Sequence, residues 1–249
     1  MADIDQALAR AYARRGPSDA AGTPPAPHFP VEPGPNSAGS AVQLEWPAII
    51  RALEREHGER FDLLADALIQ ARDQRQAKAL LFTSCHRAEG RTTLLLTLAR
   101  SLARRGGRTL LVDADLSGPM MARSLGLRPR LGLDDVIEDG LAASDAILEA
   151  PDDHLSILPL RAPVARPREF LANPAWPTVM GRLRREYDLI LIDGSPLFAG
   201  LGAAILHRSV DAAVLVHNRA LTGDRAVYRA RQVLEAGGIP LLGLAETFV

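Results

Sequence analysis

The apolar positions of this chain fall into two regimes that meet near Lys78. From there onward, short continuous apolar runs alternate with stretches of helical periodicity. The runs are Ala79-Leu80-Leu81-Phe82, Thr109-Leu110-Leu111-Val112, Leu155-Ser156-Ile157-Leu158, Leu189-Ile190-Leu191-Ile192, Ala213-Val214-Leu215-Val216 and Leu241-Leu242-Gly243-Leu244. Apolarity at every position, rather than every second one, belongs to strands covered on both faces, the habit of parallel sheets. The stretches between them, at about 92–105, 176–187 and 222–236, supply crossover helices. The pattern predicts an α/β fold: a mostly parallel sheet sandwiched by helices.

Upstream, Leu44 to Asp73 carries Ile49, Ile50, Leu53, Phe61, Leu64, Leu68 and Ile69 at helical spacing, with Gly58 expected to split the stretch into two helices. Ile4, Leu8 and Tyr12 are spaced to share one helix face within residues 3–15. Between these helical stretches, residues 16–40 hold seven of the 18 prolines among Gly, Ser and Ala. That composition cannot build a core and reads as a disordered or polyproline-like linker. The expected organisation is an N-terminal docking helix (1–15), a linker (16–40) and one domain (41–249), with leading helices over 41–77 and the α/β core over 78–249.

Composition narrows the function classes. A formal net charge of -1 over 249 residues gives no electrostatic footprint for nucleic acid. A single cysteine, Cys85, excludes an internal disulfide framework and most cysteine-based metal sites, in keeping with a reducing cytoplasm. No apolar run approaches the ~20 residues that span a bilayer, and the acidic start Met1-Ala-Asp-Ile-Asp lacks the order of a signal peptide. The expectation is a cytoplasmic protein without a transmembrane segment. Among the 29 basic residues Lys78 is the only lysine, so any task that ordinarily needs a lysine falls here to arginine.

The chemistry gathers where runs end. Thr83 to Thr93 follows a strand and opens a helix, the context in which backbone N–H groups and the helix dipole converge on phosphate. Ser84, Cys85, Ala88, Glu89, Gly90, Arg91, Thr92 and Thr93 are the candidate nucleotide-binding residues, with the Thr92 hydroxyl placed to bind Mg²⁺. The P-loop consensus G-x-x-x-x-G-K-[ST] is met imperfectly, with Cys85 for its first glycine and Arg91 for its lysine. Asp113 and Asp115 end a second strand, where alternation would turn both to one side for metal binding and activation of an attacking hydroxyl. Asp193 ends a third apolar strand in the Walker B pattern. Parallel sheets bind ligands at the carboxyl ends of their strands, so these segments together predict a site for ATP and Mg²⁺. The candidate catalytic residues are Asp113 and Asp115; the candidate metal ligands are Thr92, Asp115 and Asp193.

In these segments the chain resembles the bacterial tyrosine autokinases of polysaccharide synthesis and export, within the MinD/ParA-like P-loop ATPases. The family run T-S-A-x-P-G-E-G-K-T-T is matched by Thr83 to Thr93, and D-A-D-L-R-x-P by Asp113-Ala114-Asp115-Leu116-Ser117-Gly118-Pro119. G-L-x-D-V-L is similar to Gly132 to Ile137, V-L-P-x-G to the stretch at Ile157-Leu158-Pro159-Leu160, and P-x-E-L-L to Pro167 to Leu171. Y-D-x-V-I-I-D-T-P-P is similar to Tyr187 to Pro196, and the resemblance runs from about Glu59 to Val249. It implies an ATP/Mg²⁺ site at Arg91, Thr92, Asp113, Asp115 and Asp193. It also implies a membrane polysaccharide co-polymerase or synthesis complex as partner, a peripheral place at the inner membrane face, and homo-oligomers.

The departures bear on catalysis. Arg91 stands for the phosphate-cradling lysine, and a planar fork positions a γ-phosphate differently from a point charge. Ala88 stands for a glycine, Gly202 for an aspartate, Asn218 for a frequent arginine and Ser117 for an arginine. The oligomer motif E-x-x-R-x-x-R maps to Glu59, Asp62 and Ala65, and the chain ends Glu246-Thr247-Phe248-Val249 rather than in a tyrosine-rich tail. Two expectations stand side by side: a working autokinase and an impaired relative. The alternatives to both are a nucleotide-dependent scaffold without catalysis and a positioning ATPase. The last is opposed by the lack of lysine in residues 84–90.

Overall fold

The computed structural model describes residues 41–199 and 209–247. The expected docking helix with Tyr12, the linker and Gly202 lie outside the described residues. Residues 41–46 run extended, with an Ala41–Glu149 bridge, into helix α1 (Ala48–Arg75). The core then alternates: β1 (Ala79–Ser84), α2 (Arg91–Ala103), β2 (Thr109–Ala114), α3 (Met121–Ser124), α4 (Leu133–Glu138), α5 (Ala143–Ala146), β3 (Leu148–Ala150) and β4 (Leu155–Leu158). It closes with α6 (Pro167–Ala172), α7 (Ala175–Glu186), β5 (Leu189–Gly194), β6 (Ala212–Asn218), α8 (Asp224–Ala236) and β7 (Leu241–Thr247).

The seven strands take the order β3-β4-β2-β5-β1-β6-β7, parallel except for β3 against β4. All six apolar runs are strands, and the reason is visible in where alternate residues go. Leu81, Leu110, Val112, Ile190 and Ile192 feed one core with Phe170, Trp176, Met180 and Leu183 from the helices of that face. Leu80, Phe82, Leu111, Leu189 and Leu191 feed the other, with Ile50 and Leu68 of α1 and Leu95 and Leu98 of α2. The inner runs therefore need side chains fit for burial at every position, while β7, at the edge, is only partly covered.

The expected division of this stretch into two helices is present. α1 spans 28 residues as two helical segments that meet across a kink at His57 (φ -131°, ψ 20°), one residue before Gly58. Ala65 is buried in the core, and Asp62 pairs with Arg104 at 3.2 Å and Arg105 at 2.9 Å. Two positions of the altered oligomer motif are thus spent on packing α1 against α2. Trp46 and Trp176 are both core residues, their indoles donating to Asp153 Oδ1 and the Phe170 carbonyl. Among the described residues no helix is long and apolar enough to cross a membrane.

Candidate phosphate-binding site

β1, β2 and β5 lie side by side, so their carboxyl ends deliver the loop 85–90, Asp113 and Asp193 to one edge, with Asp113 and Asp193 in register. The loop turns through two left-handed residues, Ala88 (φ 63°) and Gly90 (φ 80°), and Gly90 caps α2. The glycine-type conformation expected at position 88 is therefore present, and the alanine methyl is strained by about 1–2 kcal/mol. Glu89 pins the turn. Buried, it accepts from the His86 amide at 2.7 Å, the Asn218 amide at 3.4 Å and the Thr222 hydroxyl. Thr247 Oγ1 donates to its carbonyl at 2.8 Å. Sequence reading placed Glu89 in the loop without this anchoring role, for which the partners lie about 130 residues downstream.

Arg91, the first residue of α2, turns inward and is only 8% exposed. Its Nη2 donates to Asp115 Oδ2 at 2.7 Å, its Nε to Asp193 Oδ1 at 2.5 Å and its Nη1 to Ser84 Oγ at 3.2 Å. Burial works to lower the guanidinium pKa, but the charges of Asp193 and Asp115 outweigh it and hold it above its ordinary value. Thr92 Oγ1 donates to Asp193 Oδ2 at 2.6 Å. Asp115 Oδ1 accepts from Ser195 Oγ and Ser117 Oγ, both at 3.1 Å. Every carboxylate oxygen of Asp115 and Asp193 thus has a protein donor. Ser195, directly after the Walker B aspartate, was missed in the sequence although its position gave a signal.

Asp113 and Asp115 do not act as a matched pair. β2 ends at Ala114, so alternation does not carry to Asp115. Asp113, fully buried, accepts from the Met121 amide at 2.9 Å and the Asp115 amide at 3.2 Å. Among the described residues no guanidinium pairs with it. Burial, and then the neighbouring charge of Asp193, push its pKa up to about 8. Two of the three acids share Arg91, and burial favours the neutral form of the third.

The resemblance has proline at position 87 and arginine at 117; the chain carries Arg87 and Ser117. Arg87 Nη2 donates to Ser117 Oγ at 2.6 Å and lies 3.8 Å from Asp115 Oδ1. A half-exposed guanidinium therefore still stands at the mouth, reaching over from the loop. Asn218 ends β6, its Oδ1 accepting from the Ala220 amide of the following turn at 2.9 Å. Cys85 is buried, and burial pushes its thiol up to about 11, which leaves it unreactive.

Thr92, Asp115 and Asp193 do not, as arranged, fit a divalent ion. Their oxygens are committed to one another, to serines and to Arg91. Among the described residues no group of three or more His, Cys, Asp and Glu side chains is disposed to hold a metal.

A parallel sheet with a phosphate loop and acids at its carboxyl edge defines a P-loop nucleotide-binding fold of the MinD/ParA-like class. No family model matches the chain. It is 28% identical over 185 residues to the "Putative tyrosine-protein kinase CapB" of Staphylococcus aureus, covering 74% of this chain and 81% of that one. It is 29% identical over 168 residues to "Tyrosine-protein kinase CpsD" of Streptococcus pneumoniae, covering 67% and 74%. The solved VpsO kinase domain superposes with a TM-score of 0.71 at 26% identity, covering 82% of this chain and 100% of that one. MinD of Pyrococcus horikoshii, solved with Mg-ADP, matches with a TM-score of 0.57 at 27% identity over 67% and 68%. In sequence and in fold the chain is thus similar to bacterial tyrosine kinases of this class.

Proposed function

We propose that this chain is an ATP-binding protein of the tyrosine-autokinase type, serving exopolysaccharide or capsule synthesis or export beside a membrane co-polymerase, with weakened phosphoryl transfer. The observation that carries the reading is the loop between β1 and α2, with Arg91 drawn between Asp115 and Asp193 at the carboxyl edge of the sheet. The loop amides and the α2 N-terminus supply donors for phosphate. Arg91 fixes the two acids, and Arg87 meets charge arriving from solvent. Relatives named as tyrosine kinases support the reaction class, and MinD with Mg-ADP supports a nucleotide at this edge. Weak transfer follows because Asp113, one candidate base, is favoured in its protonated form by burial and Asp115 is tied to arginine. The same two facts favour a second reading, a nucleotide-dependent scaffold that binds without transfer.

The test is titration of the full chain with a fluorescent ATP analogue beside Gly90→Val, which places a β-branched side chain at φ 80°. Binding lost in the variant supports the site; no binding by the wild type refutes it. Incubation with γ-labelled ATP and phosphotyrosine mapping separates kinase from scaffold. Label is expected on Tyr12 or Tyr228, the latter 62% exposed, and not on Tyr187, which is buried.

A further inference from the structure

A divalent ion in a phosphate site does two things: it gathers acidic side chains and presents positive charge to phosphate oxygens. Here a side chain already gathers the acids. Arg91 spans Asp115 and Asp193 at 2.7 and 2.5 Å, and the Thr92 hydroxyl takes the remaining oxygen of Asp193 at 2.6 Å. Ser195 and Ser117 take the remaining oxygen of Asp115, each at 3.1 Å. A divalent ion using those oxygens must share them with a guanidinium in contact, or expel a side chain that is 8% exposed and bonded on three sides. Arginine does not shed its charge to ease that conflict, because it stays protonated at any working pH.

We propose that Arg91 is the resident cation of this site, and that it takes the phosphates of a nucleoside di- or triphosphate without a divalent ion. The inference rests on the nucleotide reading given above. Charge at the edge is consistent with it. At this edge the carboxylates of Asp115 and Asp193 are opposed by the guanidinium groups of Arg91 and Arg87. Arg91 uses Nε, Nη1 and Nη2 for three acceptors and keeps two of its five N–H groups for phosphate. Lysine could not do this. Its ammonium is compact, offers three donors and has no planar fork to bridge two acids and still face a ligand.

The experiment titrates the full chain with a fluorescent ATP analogue in EDTA and again in Mg²⁺, alongside Arg91→Lys, with thermal melts showing that both proteins are folded. Binding of Mn²⁺ alone, followed by its electron paramagnetic resonance signal, is a separate readout. Wild-type affinity is expected to agree within about threefold between the two conditions, with Mn²⁺ remaining free. Arg91→Lys is expected to bind Mn²⁺ and to gain at least tenfold in nucleotide affinity with Mg²⁺, because the released acids can then ligate. Wild-type affinity that rises tenfold or more with Mg²⁺, or wild-type capture of Mn²⁺, overturns this inference while leaving the nucleotide reading in place. Absence of binding in both conditions overturns the nucleotide reading and this inference together.

Discussion

Asp113→Asn should change how stability depends on pH, and in a direction set by the structure. The Asp113 carboxyl is fully buried and neighbours Asp193, and burial first, then that charge, push its pKa from 3.8 up to about 8. Between those values the folded chain holds a proton that the unfolded chain has released, so stability falls as pH rises through this window. The full slope is about 1.4 kcal/mol per pH unit. Asparagine does not titrate and removes the slope. It keeps one carbonyl oxygen for the Met121 or Asp115 amide and turns an NH₂ toward the other, a pH-independent loss of about 1–3 kcal/mol. The variant should therefore be the less stable protein near pH 5 and should gain on the wild type by about 2–3 kcal/mol by pH 7.5. Urea unfolding at half-unit pH intervals measures this, and other titrating groups, including Asp62 and Asp66, cancel in the difference. Parallel curves for the two proteins, or a gap that widens against the variant with rising pH, would refute the claim that Asp113 is protonated in the folded state.

Three further outcomes follow from the loop. Ala88→Gly removes left-handed strain of about 1–2 kcal/mol, partly offset by about 0.5–1 kcal/mol of added chain entropy, so urea unfolding should show no loss and up to about 1 kcal/mol of gain; a loss beyond that would mean the Ala88 methyl packs usefully. Glu89→Ala leaves the His86 and Asn218 amides and the Thr222 hydroxyl without their acceptor and should cost about 2–4 kcal/mol in the same assay. The Cys85 thiol, buried and held near 11, should resist a thiol-specific chromogenic reagent at pH 8 until denaturant is added; rapid modification of the native protein would show that the loop opens.

The sheet was largely legible because burial on both faces leaves a mark that survives without any partner information: apolar residues at every position of a run. β3 was not legible, since Leu148-Glu149-Ala150 is three residues long and its pairing with β4 is antiparallel at an edge. The division of α1 was legible to within one residue, because a glycine signals permission to break a helix; that Ile50, Ala65 and Leu68 on either side of the kink pack on one core was not. For the site, strand ends identified which segments meet. They did not identify who bonds whom. The substitution at Arg91 was plain, but its reach to Asp115 and Asp193 depends on a side-chain path across two neighbouring strands, which spacing along the chain does not encode. Asp113 and Asp115 looked equivalent for the same reason, and they separate only because the strand stops between them.

The two edges of the sheet are unequal places to attach anything. Thr247, at the end of β7, bonds the carbonyl of Glu89 at 2.8 Å, so whatever is fused or labelled there begins within touching range of the phosphate loop. Ala41, at the start of the first described segment, bridges Glu149 on the far strand, and seven strand spacings of about 4.8 Å put it roughly 34 Å from that point. A dye near residue 247 would read the loop, and a bulky tag there would disturb it, whereas immobilisation upstream of Ala41 leaves the binding edge facing solvent.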